Sequence, residues 1–239
     1  MTEDHQEVIW GLGVGPGDPE LITLKAHRIL QGSDVVAYPA PAGGESLVRS
    51  IAKPHLPTGA EEYVISTPME VQRHPAQHVY DQAAADILAK AREGKKISIL
   101  CEGDPFFYGS FMYLFSRLSE DWPVGVVPGV SSLAACSAEL GLPLAARNDV
   151  VSVIPGTLEA TDLRNRLLAT DVAAIIKVGR HLEKVRGILA DLGLLTDARY
   201  IERATMDNQR IEPLADLKDE TAPYFSMIIV RRDGDAVDL

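Results

Sequence analysis

Two cysteines and six scattered histidines, with no C-x-x-C or H-E-x-x-H spacing, leave the sequence without the ligand pattern of a metal site, and no metal is expected. Cys101 ends an apolar run and Cys136 sits among small residues, so both read as reduced thiols packed as small hydrophobes rather than as a disulfide or a nucleophile. Long apolar runs are also missing. The most apolar stretches, 97–101 and 172–178, are strand-sized and far from the roughly 20 residues a spanning helix needs, so no membrane association is expected. The first seven residues, Met1 to Glu7, are polar and acidic, unlike a secretory leader, and point to the cytoplasm. No dense Lys/Arg block offsets the net charge of -11, which disfavours a nucleic-acid partner. Nor is there an internal repeat, so two dissimilar domains are expected rather than a duplication.

What is present is apolar side chain, 46% of 239 residues, enough for two modest cores. Strands are expected over 8–13, 34–38, 64–67 (an edge strand) and 96–101. Asp18-Pro19-Glu20 supplies a cap, a first-turn proline and an acid for one helix running to about residue 30. Further helices are expected over 45–52, over 75–92 with Val79, Ala83, Ile87 and Ala91 on one stripe, and over 111–118. The alternation predicts an α/β fold with a mostly parallel sheet covered on both faces and ligands collecting at the carboxyl ends of strands. We assign 1–122 to an N-terminal α/β domain and 123–239 to a C-terminal one. The latter has strands over 150–154, 172–178, 199–203 and 225–231, the last placed to pair antiparallel, and helices over 132–140, 159–168 and 181–192. The acidic end, 233–239, is expected to fray.

Three segments stand out. Gly11-Leu-Gly-Val-Gly-Pro-Gly-Asp18 lies between strand and helix as a dinucleotide loop does, but the third glycine of G-x-G-x-x-G is missing and Pro16 removes an amide. No G-K-[ST] follows, so a phosphate-cradling P-loop is excluded; taken alone, the glycines fit a tight turn as well as a ligand contact. Cys101-Glu-Gly-Asp-Pro-Phe-Phe-Tyr-Gly109 places acids and three aromatics between glycines directly after a buried strand, more than an ordinary cap requires. Val127-Pro-Gly-Val-Ser-Ser132 by itself reads as a loop and helix cap.

In this order, G-x-G-P-G-D, G-D-P-x-x-Y-G and V-P-G-V-S-S resemble the tetrapyrrole methylase family, over nearly the whole chain from Val8 to Arg231. Residues 101–114, Pro155-Gly-Thr157, Lys177-Val-Gly-Arg-His181 and Glu202-Arg-Ala-Thr-Met206 look like the branch that methylates precorrin-2 at carbon 20. The resemblance implies two α/β domains with S-adenosyl-L-methionine folded in the interdomain cleft and held largely by backbone. It further implies a homodimer and a small-molecule tetrapyrrole substrate, precorrin-2 or its cobalt form, converted to precorrin-3A in cobalamin biosynthesis. The alternatives are another member such as uroporphyrinogen-III C-methyltransferase, a ribosomal RNA methylase, which the acidic charge opposes, and a non-catalytic tetrapyrrole or S-adenosylmethionine-binding protein.

Carried over by position, the implied cofactor contacts are Pro16, Glu102, Gly103, Asp104, Phe107, Ser131, Ser132, Val178 and Ala204. Glu102 and Ala204 stand where many relatives have other residues, glycine in the first case. Methyl displacement depends on alignment more than on acid–base strength, and Glu102, Tyr108 and His181 are the candidates for polar assistance, His181 reading better as a helix N-terminal residue. A polycarboxylate substrate asks for local positive charge in an acidic chain. Arg49, Lys53, Arg73, Arg147, Arg180, Lys184 and Arg203 stand near loops and helix starts. Of these, Arg49 and Arg147 are the preferred substrate contacts, Lys184 reads as a solvated helix face, and Arg203 as the partner of a nearby acid.

Overall fold

The computed structural model describes residues 8–67 and 73–232, without the side chains of 73–76, so the Arg73 side chain and the two acidic ends lie outside the described residues. The chain divides into two compact units, Met1–Ser131 and Ser132–Leu239.

The first unit contains β1 (Ile9–Gly13), α1 (Leu24–Gln31), β2 (Val35–Pro41), α2 (Leu47–Ala52), β3 (Glu61–Thr67), α3 (Arg73–Arg92), β4 (Ile97–Cys101), α4 (Phe111–Leu118) and β5 (Val124–Val127). Its sheet is parallel throughout, in the order β3-β2-β4-β1-β5, with β3 at the expected edge. Alternation along β4 explains how both faces are filled: Ile97, Ile99 and Cys101 pack with α3 and α4, while Leu100 joins Leu12, Ala26, Leu30, Val48 and Ile51 under α1 and α2. Ser98 breaks that apolar run without penalty because its hydroxyl shares a 2.6 Å hydrogen bond with Ser33. Ala83, Ile87 and Ala91 form the buried stripe of α3, as its spacing predicts.

Two expectations change. The helix expected from Asp18 is broken in two: Asp18 caps a 3-10 turn at Pro19–Leu21, Ile22 is extended, and Thr23 starts α1 anew by accepting a hydrogen bond from the Ala26 amide. The boundary read as 122/123 moves to 131/132, because β5 pairs in register with β1 (Ile9 with Val124, Leu12 with Val127) and so completes the first sheet.

The second unit runs α5 (Ser132–Leu140), β6 (Val151–Pro155), α6 (Ala160–Leu168), β7 (Val172–Ile176), α7 (Leu182–Asp191), β8 (Ala198–Glu202), β9 (Arg210–Pro213) and β10 (Ser226–Arg231). Its sheet is mixed, in the order β6-β7-β10-β8-β9, with β10 antiparallel to both neighbours as expected. Leu163, Leu167, Leu182, Val185 and Leu189 of α6 and α7 cover one face, and Cys136 of α5 packs with Ala174, Ile201 and Met227 on the other. Strand β9 was not expected: it is a short edge strand with alternating half-exposed residues, Arg210 and Glu212 among them, and ends in proline.

Candidate functional site

At the carboxyl edge of the first sheet, the loops following β1, β4 and β5 meet through their backbones. Val14 N donates to Cys101 O at 3.0 Å, and Gly15 and Gly103 exchange hydrogen bonds in an isolated antiparallel bridge. A Cβ on Gly13 would stand 2.5 Å from the Gly129 nitrogen, and one on Gly129 would stand 2.1 Å from the Gly103 carbonyl oxygen. No side chain fits between these loops, which explains glycine at those positions in the absence of any phosphate-binding pattern. Asp104 locks the junction: one carboxylate oxygen accepts from the Phe106 amide at 2.9 Å and the other from the Gly129 amide at 3.1 Å. Structure therefore gives Asp104 a bracing position between two of the three loops.

Glu102, just before Gly103, is half-buried, and its carboxylate accepts a hydrogen bond from the Val48 amide of α2. Desolvation outweighs that bond and holds its carboxyl above the ordinary range. Tyr108 adopts φ 58°, a left-handed conformation that costs a bulky residue on the order of 1–3 kcal/mol. Its ring meets that of Phe107 edge-on at 5.2 Å, and it is 46% exposed. Pro16 and Ser131 are half-buried in the first and third loops of the same edge. Pro16, Glu102, Gly103, Asp104, Phe107, Tyr108 and Ser131 are thus brought together on one edge of one unit. Both thiols are buried, and burial pushes Cys136 up to about 12 and Cys101 upward as well, with Glu102 and Asp104 adding to the latter.

In the second unit, Val178 and Ala204 follow β7 and β8, whose carboxyl ends share one edge because both strands run opposite to β10. Both are buried. Backbone strain surrounds them: Lys177 has φ 56°, Arg203 φ 50° and Thr205 φ 68°. Left-handed conformations at three non-glycine residues flanking two implied ligand positions are what a pre-shaped binding edge retains. Ser132 starts α5 and is exposed.

The cations are less well placed than the sequence suggests. Arg49 grips Glu62 with two nitrogens, Nε at 2.5 Å and Nη2 at 2.8 Å, and Tyr38 donates to the same carboxylate. Its fork is already occupied, and the Arg49 and Tyr38 hydrogen bonds pull Glu62 down to about 2. Glu62 carried no signal in the sequence, because its partners, Arg49 on α2 and Tyr38 on the paired strand β2, are brought to it only by the fold. Arg147, left-handed at φ 49° and exposed, precedes β6 and therefore sits at the amino edge of the second sheet, opposite Val178 and Ala204. Arg203 pairs with the buried Glu202, the acid that Tyr200 also binds. Lys184 donates to the Leu158 carbonyl at 2.6 Å rather than facing solvent alone. Lys53 and Arg180 are exposed. His181 lies in the short turn before α7, where burial, with Lys184 and Arg180 adding to it, lowers its pKa.

The loops at 13–18, 102–109 and 128–131 contain no lysine or arginine but do contain Asp18, Glu102 and Asp104. That set suits a donor without phosphates and with a positive centre better than a nucleotide phosphate. Among the described residues no helix is long and apolar enough to cross a membrane.

The profile of the Tetrapyrrole (Corrin/Porphyrin) Methylases matches residues 8–218. A precorrin-2 C(20)-methyltransferase of Sinorhizobium is 41% identical over 92% of this chain and 93% of its own length. The cobalamin biosynthesis protein CobIJ of Mycobacterium bovis is 42% identical over 93% of this chain, but this chain spans only 45% of that relative. Among solved structures, uroporphyrin-III C-methyltransferase of Thermus thermophilus, in complex with S-adenyl homocysteine, superposes with a TM-score of 0.68 at 28% identity, covering 94% of this chain and 92% of the other.

Proposed function

This chain belongs to the tetrapyrrole (corrin/porphyrin) methylase family, and from that premise we propose that it transfers the methyl group of S-adenosyl-L-methionine to carbon 20 of precorrin-2, metal-free or carrying cobalt. The observation that carries the proposal is the first unit's carboxyl edge, where three loops interlock through Gly13, Gly103 and Gly129 and leave acids, aromatics and no cation. Support for carbon 20 comes from the Sinorhizobium relative, matched over nearly its full length.

When bound, the donor supplies an electrophilic methyl on a sulfonium, and the protein supplies position. Gly103 and Gly129 offer backbone at close approach, and Asp104 holds their spacing. Pro16, Phe107, Ser131, Ser132, Val178 and Ala204 complete the proposed contacts. Methyl transfer from the bound donor would leave S-adenosylhomocysteine and require carbon 20 to give up one proton. Glu102, whose elevated pKa makes it a stronger base than a solvated glutamate, would accept that proton, and Tyr108 of the same loop is the second candidate for polar assistance. The ring is itself a carbon nucleophile, so Glu102→Gln lowers kcat by no more than about 100-fold.

The test is an anaerobic assay with purified protein, S-adenosyl-L-methionine and precorrin-2, with and without cobalt. Mass gain of one methyl, its position read by NMR and S-adenosylhomocysteine released in equal amount are expected. Methylation at any other ring position moves the chain to another branch, and donor binding without turnover makes it a binding protein.

A further inference from the structure

Residues 203–209 join β8 to β9, and two of them adopt left-handed conformations, Arg203 at φ 50° and Thr205 at φ 68°, on either side of the buried Ala204. Main-chain hydrogen bonds fold the segment on itself, Met206 N to Arg203 O at 3.0 Å and Gln209 N to Met206 O at 2.9 Å, and the Arg203 amide ties its start to Phe225 O at 2.8 Å. The Thr205 amide is held by a side chain instead. It donates to Oε1 of Gln209 at 2.6 Å, and Nε2 of the same side chain donates to a carboxylate oxygen of Glu139 on α5 at 2.7 Å.

A left-handed β-branched residue is strained and persists only where its surroundings over-determine it. Gln209 supplies that constraint. Its amide can lie only one way round, because turning it over would set N–H against N–H and oxygen against carboxylate. An ionised glutamate would offer no donor here and a lysine no acceptor, so the amide is the chemistry this bridge requires. The bridge joins the loop that carries Ala204 to the helix that begins at Ser132, about two turns before Glu139, and both ends lie in the second unit. Gln209 is half-buried, which partly shields the bridge from competing water.

We propose that Gln209 is a positioning residue for the methyl donor: its side-chain amide fixes the Thr205 backbone, and with it Ala204, against α5 and Ser132. Its acceptor is spent on the Thr205 amide and a donor on Glu139, so it acts through the main chain beside Ala204. The assignment rests on the reading above of Ala204 and Ser132 as donor contacts.

The test measures the affinity of the full chain for S-adenosylhomocysteine by calorimetry, below the melting temperature of every variant. Gln209→Ala is expected to raise the Kd about five- to tenfold, the scale of one lost hydrogen bond to a half-buried amide. Gln209→Glu keeps the acceptor for Thr205 but sets a second carboxylate against Glu139, and should weaken binding to a similar degree at neutral pH. Adding Glu139→Gln returns a donor opposite it and should restore the Kd to within about twofold of the unmodified chain. With precorrin-2, Gln209→Ala should raise the KM for S-adenosyl-L-methionine and leave that for precorrin-2 unchanged. A lower melting temperature with unaltered donor Kd in Gln209→Ala assigns the residue to folding alone and overturns the proposal, as does a double variant that binds no better than Gln209→Glu by itself. If Gln209→Ala does not fold, the comparison of Gln209→Glu with the double variant decides. If the unmodified chain binds the donor but precorrin-2 gains no methyl, the reaction assignment falls and the affinities still decide the role of Gln209; an unmodified chain that binds no S-adenosylhomocysteine overturns both.

Discussion

Both carboxylate oxygens of Asp104 are spent on main-chain amides, so its substitution acts on loop spacing before it acts on any ligand. Asp104→Ala leaves the Phe106 and Gly129 amides without acceptors, a loss of about 1–2 kcal/mol and roughly five- to thirtyfold in donor Kd, to be read by calorimetry with S-adenosylhomocysteine. Gly129→Ala is the harsher change, since its Cβ meets the Gly103 carbonyl at 2.1 Å and backbone on both sides has nowhere to retreat. Both donor affinity and melting temperature should fall. Glu102 gives a pH signature. Desolvation raises its pKa from the ordinary 4.5, so between 4.5 and the raised value the folded state binds more protons than the unfolded, and stability declines as pH rises through that window. Glu102→Gln removes the decline: its melting temperature should gain on that of the unmodified protein as pH is taken from acid to neutral, even as turnover slows. An equal offset at every pH would show that the buried charge is not the cause.

Among the elements, Arg49 and Glu62 tie α2 to β3, with Tyr38 of β2 between them, so the arginine most attractive as a substrate clamp belongs to a structural triad. Arg49→Met is expected to leave the KM for precorrin-2 unchanged. It should lower stability at neutral pH by about 0.5 kcal/mol, the scale of an exposed pair, visible as a small drop in melting temperature. The sign follows from Glu62, whose pKa falls from 4.5 to about 2: the pair's contribution is complete above 4.5 and disappears as pH falls toward 2, where the two proteins should converge. The same scale shows what was legible beforehand. Buried strands and the long helix α3 were readable because alternation and the spacing of Ala83, Ile87 and Ala91 are local properties. Thr23 as a second cap, β9 and the membership of β5 in the first sheet were not, because a cap competes with its neighbours and edge strands take their identity from a partner distant in sequence.

For the molecule as a whole, net charge and ligand linkage set the expectations. With a charge of -11 and no basic tract, the protein should not retard ribosomal RNA fragments in a gel shift at 150 mM salt, and retention that weakens with added salt would contradict this reading. A donor that binds only the folded chain stabilises it by mass action, about 2.7 kcal/mol at a hundred times Kd, so S-adenosylhomocysteine should raise the melting temperature in a concentration-dependent way where NAD and ATP do not.

Sequence alone determined the α/β class and the family, and it marked the loops proposed to hold the donor, because periodicity and ordered glycine-rich motifs are written along the chain. Tertiary structure decided which charged groups remain available. Arg49 was withdrawn by Glu62 and Arg203 by Glu202, and Arg147 was set at the amino edge. An ion pair or a left-handed residue depends on what strand pairing places next to it, and that neighbour is not adjacent in the sequence.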